Sequence, residues 1–177
     1  MILSDKLIKE NIDNGNILIE PYDEKYLGSN SYDVHLSKYF ATYVDAILDC
    51  KKHNEIRHFI IPETGFVLEP GSLYLASTVE YTETHNLVPI LEGCSSGGRL
   101  GLFIDITAGF GDSGFCNHWT LELTVVKPLI VYPNMKIGQI FYNTTGECDK
   151  PYNTKDNARY NERNIRPKES MLYKSFE

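Results

Sequence analysis

The residues best suited to chemistry lie in three short stretches of the second half of the chain. They are Glu92-Gly-Cys-Ser-Ser-Gly-Gly-Arg-Leu-Gly-Leu, Thr107-Ala-Gly-Phe-Gly-Asp-Ser-Gly-Phe and Leu121-Glu-Leu. The first joins glycines, the hydroxyls of Ser95 and Ser96, and Arg99, a set that allows close backbone approach and offers donors to an anion. Composition alone equally allows a glycine-rich turn with a surface arginine. Glu122 is more telling. In an extended Trp119–Val126 segment it shares a face with Thr120 and Thr124, opposite Leu121, Leu123 and Val125. On a solvated face it is an ordinary carboxylate; facing a pocket, it has a raised pKa and suits general acid–base work.

Other chemistries lack their residues. His53-Asn54-Glu55 spells the H-x-E half of a zinc nucleobase deaminase motif, but no P-C-x-x-C follows, and the string sits in a charge-mixed loop. There is no H-E-x-x-H, no Walker A lysine, and no G-x-G-x-x-G between a strand and a helix. Cys50, Cys94, Cys116 and Cys148 are widely separated, which predicts reduced thiols rather than a disulfide framework or a four-cysteine zinc site. Seventeen basic against 24 acidic residues give a net charge of −7, which argues against coating nucleic acid but leaves room for one anion in a local basic pocket.

The elements that must position these residues are short and β-rich. Ser4-Asp5 followed by Leu7, Ile8 and Ile12 predicts an N-terminal helix ending near Asn14-Gly15-Asn16. Strands are expected at 17–20, 31–36, 39–44, 59–61, 65–68, 73–78, 88–92, 102–107, 119–126, 129–132 and 136–142, punctuated by turns such as Glu69-Pro-Gly-Ser and Tyr132-Pro-Asn-Met. Such spacing indicates a mainly β barrel or sandwich in one domain over 1–177. From Gly146 the composition turns polar, which reads as a C-terminal tail that needs a partner or ligand to pin it. No stretch approaches the roughly 18 apolar residues of a membrane span, and no signal-peptide pattern opens the chain, so the expected location is cytoplasmic.

Taken in order, Met1-Ile-Leu-Ser-Asp, Ser31-Tyr-Asp-Val-His-Leu, Leu68-Glu-Pro-Gly, the 91–102 and 107–115 stretches, Thr120-Leu-Glu-Leu, Met135-Lys-Ile-Gly-Gln and the tail from Pro151-Tyr-Asn to Arg159-Tyr160 resemble the dCTP deaminases of the dUTPase-like superfamily. The resemblance runs over nearly the whole chain. It implies a homotrimer of distorted β-barrels with active sites between subunits, Mg2+ carried by the nucleotide triphosphate, no zinc, and residues 146–177 closing over the nucleotide. The implied partners are dCTP and dUTP, with no nucleic acid and no membrane.

By the same resemblance Glu122 matches the catalytic glutamate, Ser95 and the Ala108 carbonyl match groups that hold the attacking water, and Arg99 matches the arginine that stabilises charge beside it. One carboxylate can serve as base and then acid while water replaces the amine at C4. Asp112 matches the aspartate that binds the sugar 3′-hydroxyl, and Ser96 with the amides of Gly97 and Gly98 matches phosphate contacts. Thr120, Leu121 and Gln139 match further nucleotide contacts, and Tyr152 and Arg159 match tail residues that close over the triphosphate. Gly109-Phe110 and Gln139 look like the members that carry dCTP through to dUMP for dTMP synthesis. The alternatives are a deaminase stopping at dUTP, a dUTPase-only member and a non-catalytic nucleotide-binding regulator.

The pattern breaks at Cys94, where the family motif Gly-Arg-Ser-Ser has an arginine that contacts phosphate. Arg163, where glutamine is usual, is expected to restore the cation; a changed substrate or lost activity is the competing reading. Gly111 and Ser113 replace the usual hydrophobic residue and proline around Asp112, which predicts a looser loop.

Overall fold

The computed structural model describes residues 1–104 and 108–177. Helix α1 (Asp5–Asp13) starts where the sequence asks for it, with the Ser4 hydroxyl accepting from the Leu7 amide at 3.5 Å and Asp5 in the first turn. Its Ile8 is fully buried. Strands follow as β1 (Ile17–Glu20), β2 (Tyr32–Tyr43), β3 (Ile56–Ile60), β4 (Phe66–Leu68), β5 (Tyr74–Thr84) and β6 (Leu87–Gly93). After a short helix α2 (Ser95–Arg99) come β7 (Leu102–Ile104), β8 (Cys116–Val125), β9 (Leu129–Val131) and β10 (Lys136–Thr144).

Two expected boundaries moved, each for a polar reason. The break expected at Ser37-Lys38 is a bulge inside one strand, β2, where the Ser37 and Ser77 hydroxyls meet at 2.9 Å. Strand β5 runs six residues past Thr78, through a glutamate that interrupts the apolar pattern. That residue, Glu80, is buried and carries its own partner: His35 donates its amide at 2.8 Å, and the His35 Nδ1 lies 2.6 Å from the carboxylate. The strand expected over 102–107 is seen as Leu102–Ile104; Asp105, Ile106 and Thr107 lie outside the described residues.

Eight strands form one sheet in the order β6-β10-β2-β5-β8-β7, with β1 added to β5 and β3 to β2; β4 and β9 pair separately. The two ends of this order approach each other. A Cβ on Gly93 of β6 would sit 3.3 Å from Ile104 of β7, and one on Gly138 of β10 would sit 2.9 Å from the same side chain. The sheet therefore rolls into a nearly closed barrel around Leu36, Phe40, Ala76, Leu91, Leu121, Leu123 and Ile140, all buried. Each of these side chains but Ala76 contributes about 1.5–3 kcal/mol by leaving water.

Candidate active site

Strand β8 alternates as its sequence requires. Asn117, Trp119, Leu121, Leu123 and Val125 face the interior, while Cys116, His118, Thr120, Glu122 and Thr124 take the other face. That outer face is not open to bulk solvent. Glu122, His118 and Thr120 line a cavity of about 990 Å³, at the upper end of the size range for small-molecule pockets. Ala108, Phe110, Gly111, Asp112, Tyr152 and Arg159 line it as well, so eight positions singled out from the sequence, Glu122 and Thr120 among them, meet there.

The rest of the lining comes largely from the tail. Its polar composition suggested a segment waiting for a ligand, yet side chains of β8 and β2 hold it in place. The Asn117 amide donates to the carbonyls of Tyr160 and Glu162, both at 2.9 Å, and its oxygen accepts from the Asn164 amide at 3.1 Å. The Thr120 hydroxyl accepts from the Lys168 amide, and the Tyr43 hydroxyl from the Ser170 amide. Near the start of the tail, the Tyr152 amide donates to the Ser113 carbonyl at 2.7 Å. Gly114 makes this docking possible. It has φ +89°, and a Cβ there would lie 2.8 Å from Pro151 and 2.9 Å from the Tyr152 amide nitrogen.

The loop around Asp112 is tight, contrary to the expectation of looseness. Gly111 is buried, with room for a Cβ already filled by Trp119 at 2.7 Å and Pro89 at 2.9 Å, and its amide donates to the Pro89 carbonyl. A side chain at this position would need the space that the indole occupies. Leu91 donates to the Gly109 carbonyl, and Phe110, largely exposed, bridges to Ile90. Leu121 is fully buried, so only its backbone can serve a ligand.

Charge in the cavity is mixed. Lys150, Lys155, Arg159 and Lys168 face Asp112, Glu122 and Glu169, with the Lys155 ammonium 3.0 Å from Asp112. Burial pushes the Tyr43 phenol above its ordinary value, and the charges of Tyr160 and Glu122 add to the shift. Burial also holds His118 below the usual histidine range, with the Arg163 cation adding to it, so its ring is neutral at pH 7. Asn117 was missed from the sequence. Its signal was there: a polar residue at an interior position of the β8 alternation must find partners.

The serine loop lies elsewhere on the same chain. Cys94, Ser95, Ser96, Gly97 and Gln139 line a second cleft, of about 300 Å³, which shares no lining residue with the first. Gln139 accepts there from the Ser31 hydroxyl at 3.2 Å. Gly98 and Arg99 continue the exposed surface of α2. Arg163 lies in neither cleft. Its guanidinium stacks 3.9 Å over the Tyr81 ring and pairs with Glu20 at 2.9 Å. Within one chain it therefore ties the tail to β1 and β5, and the expected replacement of the missing cation beside Cys94 is not formed there.

The rolled sheet has a counterpart among solved structures. A solved structure of 2′-deoxycytidine 5′-triphosphate deaminase from Agrobacterium tumefaciens matches 81% of the chain at a TM-score of 0.63 and 18% identity. The chain spans about half of that structure, 48% of its length. Residues 2–145 match the family model described as dCTP deaminase-like, and the chain belongs to that family. Relatives named "dCTP deaminase, dUMP-forming" align end to end with it. That of Leptospira biflexa is 52% identical over 178 residues, covering 100% of this chain and 99% of its own. That of Cytophaga hutchinsonii is 50% identical over 177 residues, with the same coverage. No described helix is long and apolar enough to cross a membrane.

Proposed function

We propose that the chain converts dCTP, with Mg2+ on its phosphates, to dUMP, ammonia and pyrophosphate in the cytoplasm, supplying dUMP for thymidylate synthesis. One observation carries the reading. Glu122 stands on the cavity face of β8 among groups suited to a nucleotide, in a chain whose full-length relatives bear the dUMP-forming name. Water attacks C4 while Glu122 takes its proton. Glu122 passes that proton to N3, then carries the second proton, from the new C4 hydroxyl, to the amine; the C4–N bond breaks and ammonia leaves. Ser95 and the Ala108 carbonyl hold the water, and Arg99 stabilises the developing charge. Asp112 binds the 3′-hydroxyl, and Tyr152 and Arg159 close the tail over the triphosphate. A second water, admitted beside the α-phosphate by the small Gly109 next to Phe110, cleaves dUTP to dUMP and pyrophosphate. Zinc has no part in this reaction, since the carboxylate supplies the base and the sequence lacks the paired ligands of zinc deaminases.

The separation of the two clefts supports assembly of the site from two copies of the chain, within a trimer. Glu122 and Ala108 come from one copy, and the Ser95–Arg99 turn comes from its neighbour. Exposed Leu100, Phe103 and Val126 surround that turn and suit burial between subunits.

A second reading, a substrate with fewer phosphates, has Cys94 in its favour, together with the engagement of Arg163 by Glu20 and Tyr81. Incubation with Mg2+ and dCTP, dCMP or dUTP, followed by chromatography and ammonia assay, separates these outcomes. The proposal predicts equal yields of ammonia, dUMP and pyrophosphate from dCTP in the presence of a zinc chelator. Accumulation of free dUTP would leave a deaminase that stops early; turnover of dCMP alone would favour the second reading; no ammonia would leave a dUTPase if dUTP is cleaved and a regulator if it is not.

A further inference from the structure

A cluster on the other side of the tail anchor has the composition of a metal site. Glu83 lies near the end of β5 and His85 just past it, in the bend before β6, while Thr82 and Thr84 are fully buried. The antiparallel register sets Cys116, the first residue of β8, directly opposite Glu83. Ligand atoms of Glu83, His85 and Cys116 lie within 4.8 Å of one another, and all three residues are half-buried. His85 Nε2 and Glu83 Oε2 are 3.3 Å apart. That is about the spacing of two ligands around a tetrahedral zinc with bonds of about 2.0–2.1 Å.

The surroundings prepare the ligands. The Tyr81 hydroxyl donates to the other Glu83 oxygen at 2.8 Å, which orients the carboxylate and leaves Oε2 toward His85. The His85 amide donates to the Asn16 carbonyl at 2.7 Å and fixes the turn. The Cys116 thiol points to the Gly114 carbonyl at 3.4 Å, so a small rotation releases it. None of the three lines the Glu122 cavity.

We propose that Glu83, His85 and Cys116 form a structural or regulatory site for zinc, a borderline-soft divalent cation, with water in the fourth position. One thiolate, one imidazole and one carboxylate suit zinc better than calcium or magnesium. Binding expels the thiol proton to the buffer. It also ties the turn after β5 to the start of β8, next to Asn117, which holds the tail. The site is separate from the deamination chemistry, and its test does not depend on that chemistry.

Cobalt reports it directly. Titrating the full-length protein with Co2+ should produce a thiolate-to-cobalt absorption band that saturates at one Co2+ per chain and is displaced by Zn2+. The band should vanish in Cys116→Ser and persist in Cys50→Ser and Cys148→Ser. His85→Gln should weaken binding by more than about tenfold, and Zn2+ should raise the melting temperature of the wild type but not of His85→Gln. No band in the wild type, or an equal band in Cys116→Ser, overturns the proposal. Should Cys116→Ser fail to fold, unchanged cobalt affinity in His85→Gln overturns it equally.

Discussion

Replacing Glu122 by glutamine keeps the shape of the cavity and removes the group that takes and returns the proton. Ammonia release from dCTP should fall by at least about 10²–10⁴-fold, with nucleotide binding by calorimetry retained. A variant that still releases ammonia at the wild-type rate would remove Glu122 from the reaction. Cys94 poses the opposite test. It lines the serine cleft where the family resemblance leads one to expect an arginine, and its carbonyl accepts from the Gly98 amide at 3.1 Å. A restored cation gains a charge-assisted bond of about 1.5–3 kcal/mol, so Cys94→Arg should lower KM for dCTP roughly tenfold or more while leaving kcat nearly unchanged. An unchanged KM would mean that phosphate does not reach this cleft.

At the scale of elements, the tail and β8 work as one unit. Asn117→Ala removes three hydrogen bonds to residues 160–164. It should raise KM for dCTP and speed proteolytic cleavage after Gly146, measured by mass spectrometry of the fragments. Equal proteolysis in mutant and wild type would place the anchor elsewhere. The face of β8 that carries Glu122 was legible in the sequence, because alternation of Leu121, Leu123 and Val125 with polar residues leaves one register for a buried strand. The N-terminal helix was legible for a similar local reason, its cap and spacing. The length of β5 was not, because Glu80 breaks the pattern and its partner His35 is 45 residues away. Nor was the ordering of the tail, whose contacts with Asn117, Thr120 and Tyr43 come from distant strands. The Glu83–Cys116 pairing escaped motif reading for the same reason: register, not sequence spacing, brings the ligands together. The grouping of Glu122 with Asp112, Tyr152 and Arg159 was readable only through the family resemblance.

For the molecule as a whole, acid stability carries the mark of His118. Burial and the nearby Arg163 hold its folded-state pKa below the unfolded value of about 6.5. As pH falls through that value the unfolded chain binds the proton first, so stability declines below about pH 6.5 and is unaffected above it. The urea midpoint should therefore drop between pH 7.5 and 5.5, and His118→Gln should reduce that drop; an identical drop in the variant would assign it to other groups. Assembly is the larger question, because one chain keeps Glu122 and the Ser95 turn in separate clefts. Co-expressing Glu122→Gln with Ser95→Ala puts the question in one measurement of ammonia release from dCTP. If each site joins two copies, every mixed trimer can pair an intact glutamate with an intact serine turn, and random assembly restores about a quarter of wild-type activity from two inactive parents. A mixture as inactive as either parent alone would contradict a site shared between subunits.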